Sequence, residues 1–323
     1  MIWAAWRQQR LIILVWVSAV AALVGYMLVV AFAYQNDTHL LATHHCGTAA
    51  KFVSHFCNVR RTSQANDRSQ IAHIVGALYV LPLLGGALLG APLVASEIDR
   101  KTNRLAWTQG VSRTRWLVWK WTVAATAVAL PMAGLVVAVV WWRVAVGRAD
   151  VMMPANFDFT GVVIIGYTLF SFALGVALGA LLRHTLLAVL GTAVGFGLFR
   201  WWVEVGLRPH FAAPLTVRST VFPTVPGWFL SEGLVSLRGA SATRVNELYR
   251  HCSYLVYRRG GITAPTQPMR FKACLVAHHI EYAVVYQPFS RYWAFQGIET
   301  AIFGVAALLL LGATVWIVRW WRA

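Results

Sequence analysis

The stretch Leu11–Ala33 reads LIILVWVSAVAALVGYMLVVAFA, 23 residues without one formal charge. A helix needs ~20 apolar residues to cross ~30 Å of hydrocarbon at a rise of 1.5 Å per residue. Five more runs, of 19 to 27 residues, follow: Ile71–Ser96, Trp116–Trp142, Gly161–Leu182, Thr185–Val203 and Gly297–Val318. Inside lipid the backbone polar groups of each run must satisfy one another, which selects helices over isolated strands. The expected fold class is therefore all-α, a polytopic membrane protein with about six transmembrane helices.

Composition agrees. Of 323 residues, 59% are hydrophobic and 12% charged, against about 25% charged in an average soluble chain. The formal net charge is +17. Its positive residues sit at span ends and in loops, not on an aromatic-interleaved platform, so anionic membrane lipids are the expected partner and nucleic acid is not.

The short loops alternate in charge. Residues 1–10, 97–115, 183–184 and 319–323 hold ten Arg or Lys in about 36 positions, from Arg7 to Arg322. Residues 34–70 and 142–159 hold six in about 55. The denser set is expected in the cytoplasm, with both termini. That places the outer loop 34–70 and the long segment 204–296 outside. All four cysteines, Cys46, Cys57, Cys252 and Cys274, fall in those outer segments, where an oxidising exterior permits disulfides. Of three pairings, Cys46–Cys57 and Cys252–Cys274 keep each bond within one loop. The neighbouring His44, His45, His55, His251, His278 and His279 also invite a zinc reading, which needs four convergent ligands. Disulfides are the simpler expectation, and no metal site is assigned.

Within these bounds the chain divides into four parts. Residues 1–10 carry Trp3 and Trp6, with Arg7 and Arg10, at helical spacing and are expected to form an interfacial elbow helix. Residues 11–203 hold spans one to five, residues 204–296 an extracytoplasmic domain, and residues 297–323 span six with a cytoplasmic tail. The first apolar run is too long for a signal-peptide core, although Ala31-Phe32-Ala33 resembles a cleavage site, and is expected as a retained helix. Gly175-x-x-x-Gly179 and Gly191-x-x-x-Gly195 place small residues four apart, as close helix packing requires. Glu204 and Glu299 stand at span ends and are expected to be solvated at the interface. In the outer segment, short helices are expected over Gly227–Leu237, Asn246–Arg258 and Phe271–Val285.

The chemistry lies between spans two and three: Ser96-Glu97-Ile98-Asp99-Arg100-Lys101-Thr102-Asn103-Arg104-Leu105-Ala106-Trp107-Thr108-Gln109-Gly110-Val111-Ser112-Arg113-Thr114-Arg115-Trp116, with Lys120 beyond. Ser96 with Asp99 reads as a capping box and Ser112 as the cap of the next helix. Ile98, Leu105 and Trp107 give a short helix an apolar side, suited to a groove in a cytoplasmic partner. No Gly-x-x-x-x-Gly-Lys-Ser/Thr occurs, so ATP, if used, is expected on another chain. No nucleophile–base–acid spacing marks an enzyme, and no catalytic residue is assigned.

Here the sequence resembles the permease subunits of ABC-2 type ABC transporters. Glu97, Thr102, Leu105, Val111-Ser112-Arg113 and Lys120 match the family's loop after the second span, although Lys101 stands where a Gly often precedes the Thr. The end, Tyr286-Gln287-Pro288-Phe289-Ser290-Arg291-Tyr292-Trp293 with Gln296-Gly297-Ile298-Glu299, looks like actinobacterial permeases of this class. The resemblance implies a dimer of such subunits joined to two ATP-binding subunits, with ATP and Mg held by those partners. It makes 97–115 the coupling loop, through Glu97, Thr102, Leu105, Trp107, Ser112 and Arg113. The expected function is export of an amphipathic, drug- or antibiotic-like small molecule. The rivals are a permease for lipid or cell-envelope components and a non-transporting sensor with a ligand-binding outer domain.

Overall fold

The computed structural model describes residues 2–46, 54–99, 112–146, 151–220, 223, 226–236, 239–258 and 267–320. The chain forms two compact units, one of residues 1–151, 155–205 and 294–323, the other of residues 152–154 and 206–293.

The first unit is helical: α1 (Ile2–Thr43), α2 (His55–Leu84), a π-helical segment (Gly85–Gly90), α3 (Ala91–Asp99), α4 (Arg113–Ala145), α5 (Val163–Leu182), α6 (Thr185–Trp202) and, entering from the second unit, α9 (Tyr292–Arg319). Among the described residues, six helices are long and apolar enough to cross a membrane, Gln9–Thr43, His55–Glu97, Thr114–Ala145, Val163–Leu182, Thr185–His210 and Phe289–Arg319. The all-α polytopic reading of the membrane part stands.

Two of its boundaries move. The expected elbow helix is not separate: Ile2–Thr43 is one unbroken helix, since no Gly, Pro or cap interrupts residues 7–12. The expected loop 34–70 is mostly helix, because no Gly or Pro falls between residues 34 and 46 or 54 and 70. With 42 residues, α1 is ~63 Å long and outruns the hydrocarbon layer. At its far end Cys46 is bonded to Cys57. Arg60 pairs with the buried Asp37 at 3.0 Å, and Arg61 donates to the Cys46 carbonyl. Ser54 caps α2 by accepting from the Cys57 amide.

The core of this unit follows the helical period. Trp16, Val20, Met27 and Val30 of α1 pack with Val128, Met132, Leu135, Val139 and Trp142 of α4, all buried. The tightest contact lies between the π segment and α5. A Cβ added at Gly175 would stand 2.5 Å from the Gly86 carbonyl oxygen and 2.7 Å from the Ala91 nitrogen. At Gly179 it would meet the Ala91 carbonyl at 2.6 Å. Glycine is required there because backbone meets backbone. Gly191 and Gly195 are looser: an added Cβ meets only Leu178 Cδ1 at 3.1 Å and Leu174 Cδ2 at 3.2 Å, both ends of flexible side chains. Gly175→Val is expected to cost at least the 1–3 kcal/mol typical of overpacking. Thermal unfolding in detergent should show a clear loss, with Gly304→Ala unchanged, since a methyl there meets nothing within 4 Å.

The second unit holds β1 (Leu215–Ser219), β2 (Gly227–Ser236), α7 (Ala242–Arg258), α8 (Gln267–Ala277) and β3 (Ile280–Pro288). The strands form an antiparallel sheet of order β1-β3-β2. Leu215 pairs with Tyr286, Ser236 pairs with Ile280, and a register shift falls between Phe229 and Ser231. This corrects the purely helical reading of 204–296. Where a helix is expected over Gly227–Leu237, Gly227–Ser236 is a strand and Leu237 lies outside the described residues, and the expected helix Phe271–Val285 stops at Ala277. His279 then turns the chain with φ 54°, and β3 begins. Only Asn246–Arg258 is helical throughout, inside α7.

Val245, Cys252, Leu275 and Ile280 form a small core there, fastened by the Cys252–Cys274 bond. Closing a loop of 22 residues contributes about 3 kcal/mol on chain-entropy grounds. Burial, reinforced by a hydrogen bond with Tyr249, pushes the Tyr282 phenol above its ordinary value. Gln287, fully buried, donates to the Pro209 and Ala212 carbonyls and accepts from Arg291.

Candidate functional site

The segment between α3 and α4 is held at its base by an ion pair. Glu97, near the end of α3, accepts from the Lys120 ammonium two turns into α4. The two side chains are 15% and 8% exposed, so the pair is largely desolvated and worth more than a surface bridge. Lys120 Nζ also lies 4.9 Å from the centre of the Trp116 ring, within cation–π range. A small cleft beside the pair is lined by Gln9 and Ile12 of α1, by Leu88 and Leu89, by Pro92, Leu93 and Ser96 of α3, and by Glu97 and Lys120.

Ser112 has extended backbone, φ −64° and ψ 139°, and its hydroxyl accepts from the Arg115 amide as the N-cap of α4. Arg113 is the first residue of that helix. Ser96 does not cap a helix start. It lies inside α3 and donates its hydroxyl to the Pro92 carbonyl at 2.6 Å. That acceptor's usual donor is the amide four residues on, so Ser96 bonds back along its own helix. Thr102, Leu105 and Trp107 lie outside the described residues.

The π segment connects this pair to the bundle. Pro92 has no N–H and crowds the carbonyl four residues before it. The helix ahead of it widens, and the Ala91 amide reaches the Gly86 carbonyl five residues back. Gly175 of α5 packs over that same bond. The ion pair is thus seated on a helix whose own winding is gripped by α5.

A second polar group lies toward the opposite ends of the spans. Asp158, 3% exposed, pairs with Arg200 of α6 at 2.5 Å. The Tyr167 hydroxyl stands 3.0 Å from Asp158 Oδ1 and 2.5 Å from Glu299 Oε1. The Arg200 guanidinium lies 4.7 Å from the Tyr79 ring centre and 5.2 Å from that of Tyr167. Gln296 of α9 links the same region, accepting from the Val163 amide and donating to the Phe157 carbonyl.

This corrects the expectation for Glu299, which is fully buried and bonded within the protein instead of being solvated at the interface. Tyr167 reaches it from 132 positions away, a contact no local pattern announces. The signal available was Arg200 at the end of an apolar run, since an ionised group there demands a partner.

The expected cysteine pairs are both formed, Cys46–Cys57 and Cys252–Cys274. Ligand atoms of Cys252, Cys274 and His278 lie within 4.8 Å of one another. With the two sulfurs joined, neither is a thiolate, the form that binds metal.

Residues 17–208, more than half of the chain, match the family model described as ABC-2 membrane transporter related. The match runs from α1 through α6 and includes Glu97, Lys120 and the π segment. No curated protein and no solved structure matches the chain.

Proposed function

Because the chain belongs to the ABC-2 membrane transporter related family, a multi-pass membrane protein of the ABC permease class, we propose that it is the membrane subunit of an ATP-driven exporter. Two copies join two separate ATP-binding subunits, which hold ATP and Mg. The cargo is an amphipathic small molecule of drug or antibiotic type. The observation that carries this reading is the desolvated Glu97–Lys120 pair at the base of residues 98–112, inside the family-matched region.

The proposed route of force uses these contacts. Closure of the ATPases moves the segment 97–115, into which Leu105 and Trp107 bring apolar contacts for the partner's groove. Glu97 and Lys120 make α3 and α4 respond together. The π segment passes that motion to α5 across the Gly86–Gly175 contact, where backbones touch and little slack exists. Packed helices with two discrete arrangements transmit displacement in this way.

The test is reconstitution. The chain should co-purify with a P-loop ATPase, and vesicles holding both should expel an amphipathic dye only when ATP is supplied to the ATPase side. Dye movement by this chain alone, or ligand binding to residues 206–293 with no ATP-driven flux, would replace the exporter reading with a carrier or a sensor.

The same reading sets the topology. Both termini and residues 97–115 are cytoplasmic, since that set of loops is richest in Arg and Lys. A cysteine placed at Ser112 is expected to resist a membrane-impermeant thiol reagent on intact cells, while one at Ser63 reacts. The reverse pattern would invert the orientation.

A further inference from the structure

An apolar crevice opens between α4 and α9. Leu117, Val118 and Trp121 line it from α4, Leu308, Leu311, Gly312, Thr314 and Val315 from α9, and Val176 closes its floor. The crevice measures about 220 Å³. Its one hydroxyl, Thr314, is spent on the Leu310 carbonyl at 2.7 Å. Trp121 keeps a buried indole Nε1 with no hydrogen-bond partner among the described residues, and the rest of the lining offers a ligand dispersion and apolar burial.

One end of the crevice differs. Thr114 precedes Leu117 and Val118 by three and four positions, and Arg319 follows Val315 by four, so each continues its helix's lining face. The Arg319 Nε donates to Thr114 Oγ1 at 3.3 Å, closing that end. Arg115 stands one turn before Val118 on the same side of α4. Arg115 and Arg319 are both exposed, and neither pairs with a carboxylate among the described residues. Guanidinium carries five N–H donors, so Arg319 keeps four beyond its bond to Thr114.

We propose that this crevice holds one resident anionic phospholipid, with an acyl chain against Leu117, Trp121, Leu308 and Val315 and its phosphate at Arg319 and Arg115. The shape is apolar along its length and cationic at one end, which matches that ligand and not a free anion or an uncharged hydrocarbon. Arg suits the phosphate because its planar fork pairs two oxygens at once. The site does not depend on the transport reading, and the lipid is a bound component, not the cargo.

The experiment uses the purified, delipidated full chain in detergent, titrated with phosphatidylglycerol and, separately, with phosphatidylcholine of the same chains and with glycerol phosphate. Binding is followed by native mass spectrometry. Phosphatidylglycerol is expected to add as a single resolved adduct that phosphatidylcholine does not displace at equal concentration, while glycerol phosphate leaves the spectrum unchanged. Arg319→Gln should weaken the adduct about five-fold, the effect of one basic residue at an anionic lipid surface.

Gly312→Leu is the filling variant. Gly312 lines the crevice and an added Cβ there meets nothing within 4 Å, so the first carbon of the new side chain is accommodated. The leucine is expected to fill the crevice, and the adduct should disappear while the unfolding temperature holds. Equal retention of both lipids would reduce the site to ordinary solvation by the bilayer and overturn the proposal. Adduct formation by Gly312→Leu as strong as by the wild type would do the same. So would efficient disulfide cross-linking between two copies through a cysteine at Leu308, which would assign the face to a second copy of the chain.

Discussion

Glu97→Ala is expected to leave the protein in the membrane and lower ATP-driven efflux at least ten-fold, with hydrolysis by the partner continuing. Removing one member of a largely buried pair leaves the other charge uncompensated, at about 3–5 kcal/mol. Lys120 is 8% exposed at its side chain and has little water to turn to. The tie between α3 and α4 is then lost, and on the proposed reading the two helices no longer respond together. Lys120→Ala should act in the same direction.

The double replacement Glu97→Leu with Lys120→Met separates stability from coupling. Exchanging a buried pair for apolar groups of similar volume is often neutral or stabilising, so the unfolding temperature should return toward that of the wild type. Efflux and ATPase rates in reconstituted vesicles measure the coupling. Wild-type efflux in both single variants would remove the pair from the mechanism.

Arg200→Met is expected to produce the second large effect, a loss of about 3–5 kcal/mol in the stability of the first unit. It removes the cation 2.5 Å from an Asp158 side chain that is 2% exposed, and with it the guanidinium stacked near Tyr79 and Tyr167. Tyr167→Phe is the graded comparison. It keeps the ring on Phe303, 4.6 Å between centres, and deletes only the hydroxyl shared by Asp158 and Glu299, at about 1–3 kcal/mol. Thermal unfolding in detergent should rank Arg200→Met well below Tyr167→Phe, and Tyr167→Phe below the wild type. An Arg200→Met variant as stable as Tyr167→Phe would show that the ion pair contributes nothing beyond the hydroxyl network.

These two polar groups differ in how openly the sequence declared them. Glu97, Ser112 and Lys120 lie within one short stretch, so local spacing and a family pattern brought them together. Asp158, Tyr167, Arg200 and Glu299 come from a connecting segment and three helices. Each looks ordinary where it stands, and Glu299 at the start of a span looks like a head-group residue. Its burial is a property of packing between α5 and α9.

The spans were legible because hydrocarbon thickness imposes a length that composition alone reveals. The cysteine pairing was legible because each pair is close in sequence. The sheet was not, for a physical reason: β2 and β1 are joined only through β3, more than 40 residues from either. Segment 227–236, with Trp228, Phe229, Leu230, Leu234 and Val235, carries apolar residues that serve a strand or a short helix equally well. The partner strand decides between them, and that information is non-local. The helical stretches 34–43 and 55–70 are polar, and polarity alone does not separate a loop from a solvated helix, although nothing in those residues breaks a helix.

The π segment also sets a phase. Each residue added to or removed from an α-helix rotates everything beyond it by about 100°. The Gly86–Ala91 bond accommodates one residue more than an α turn would, so Glu97 faces Lys120 only because the helix behind it is underwound by that amount. Any conformational step that rewound Gly85–Gly90 into regular α-helix would swing the Glu97 carboxylate around its axis and away from Lys120. The bundle interior and the ion pair are therefore geared to each other by winding as well as by contact.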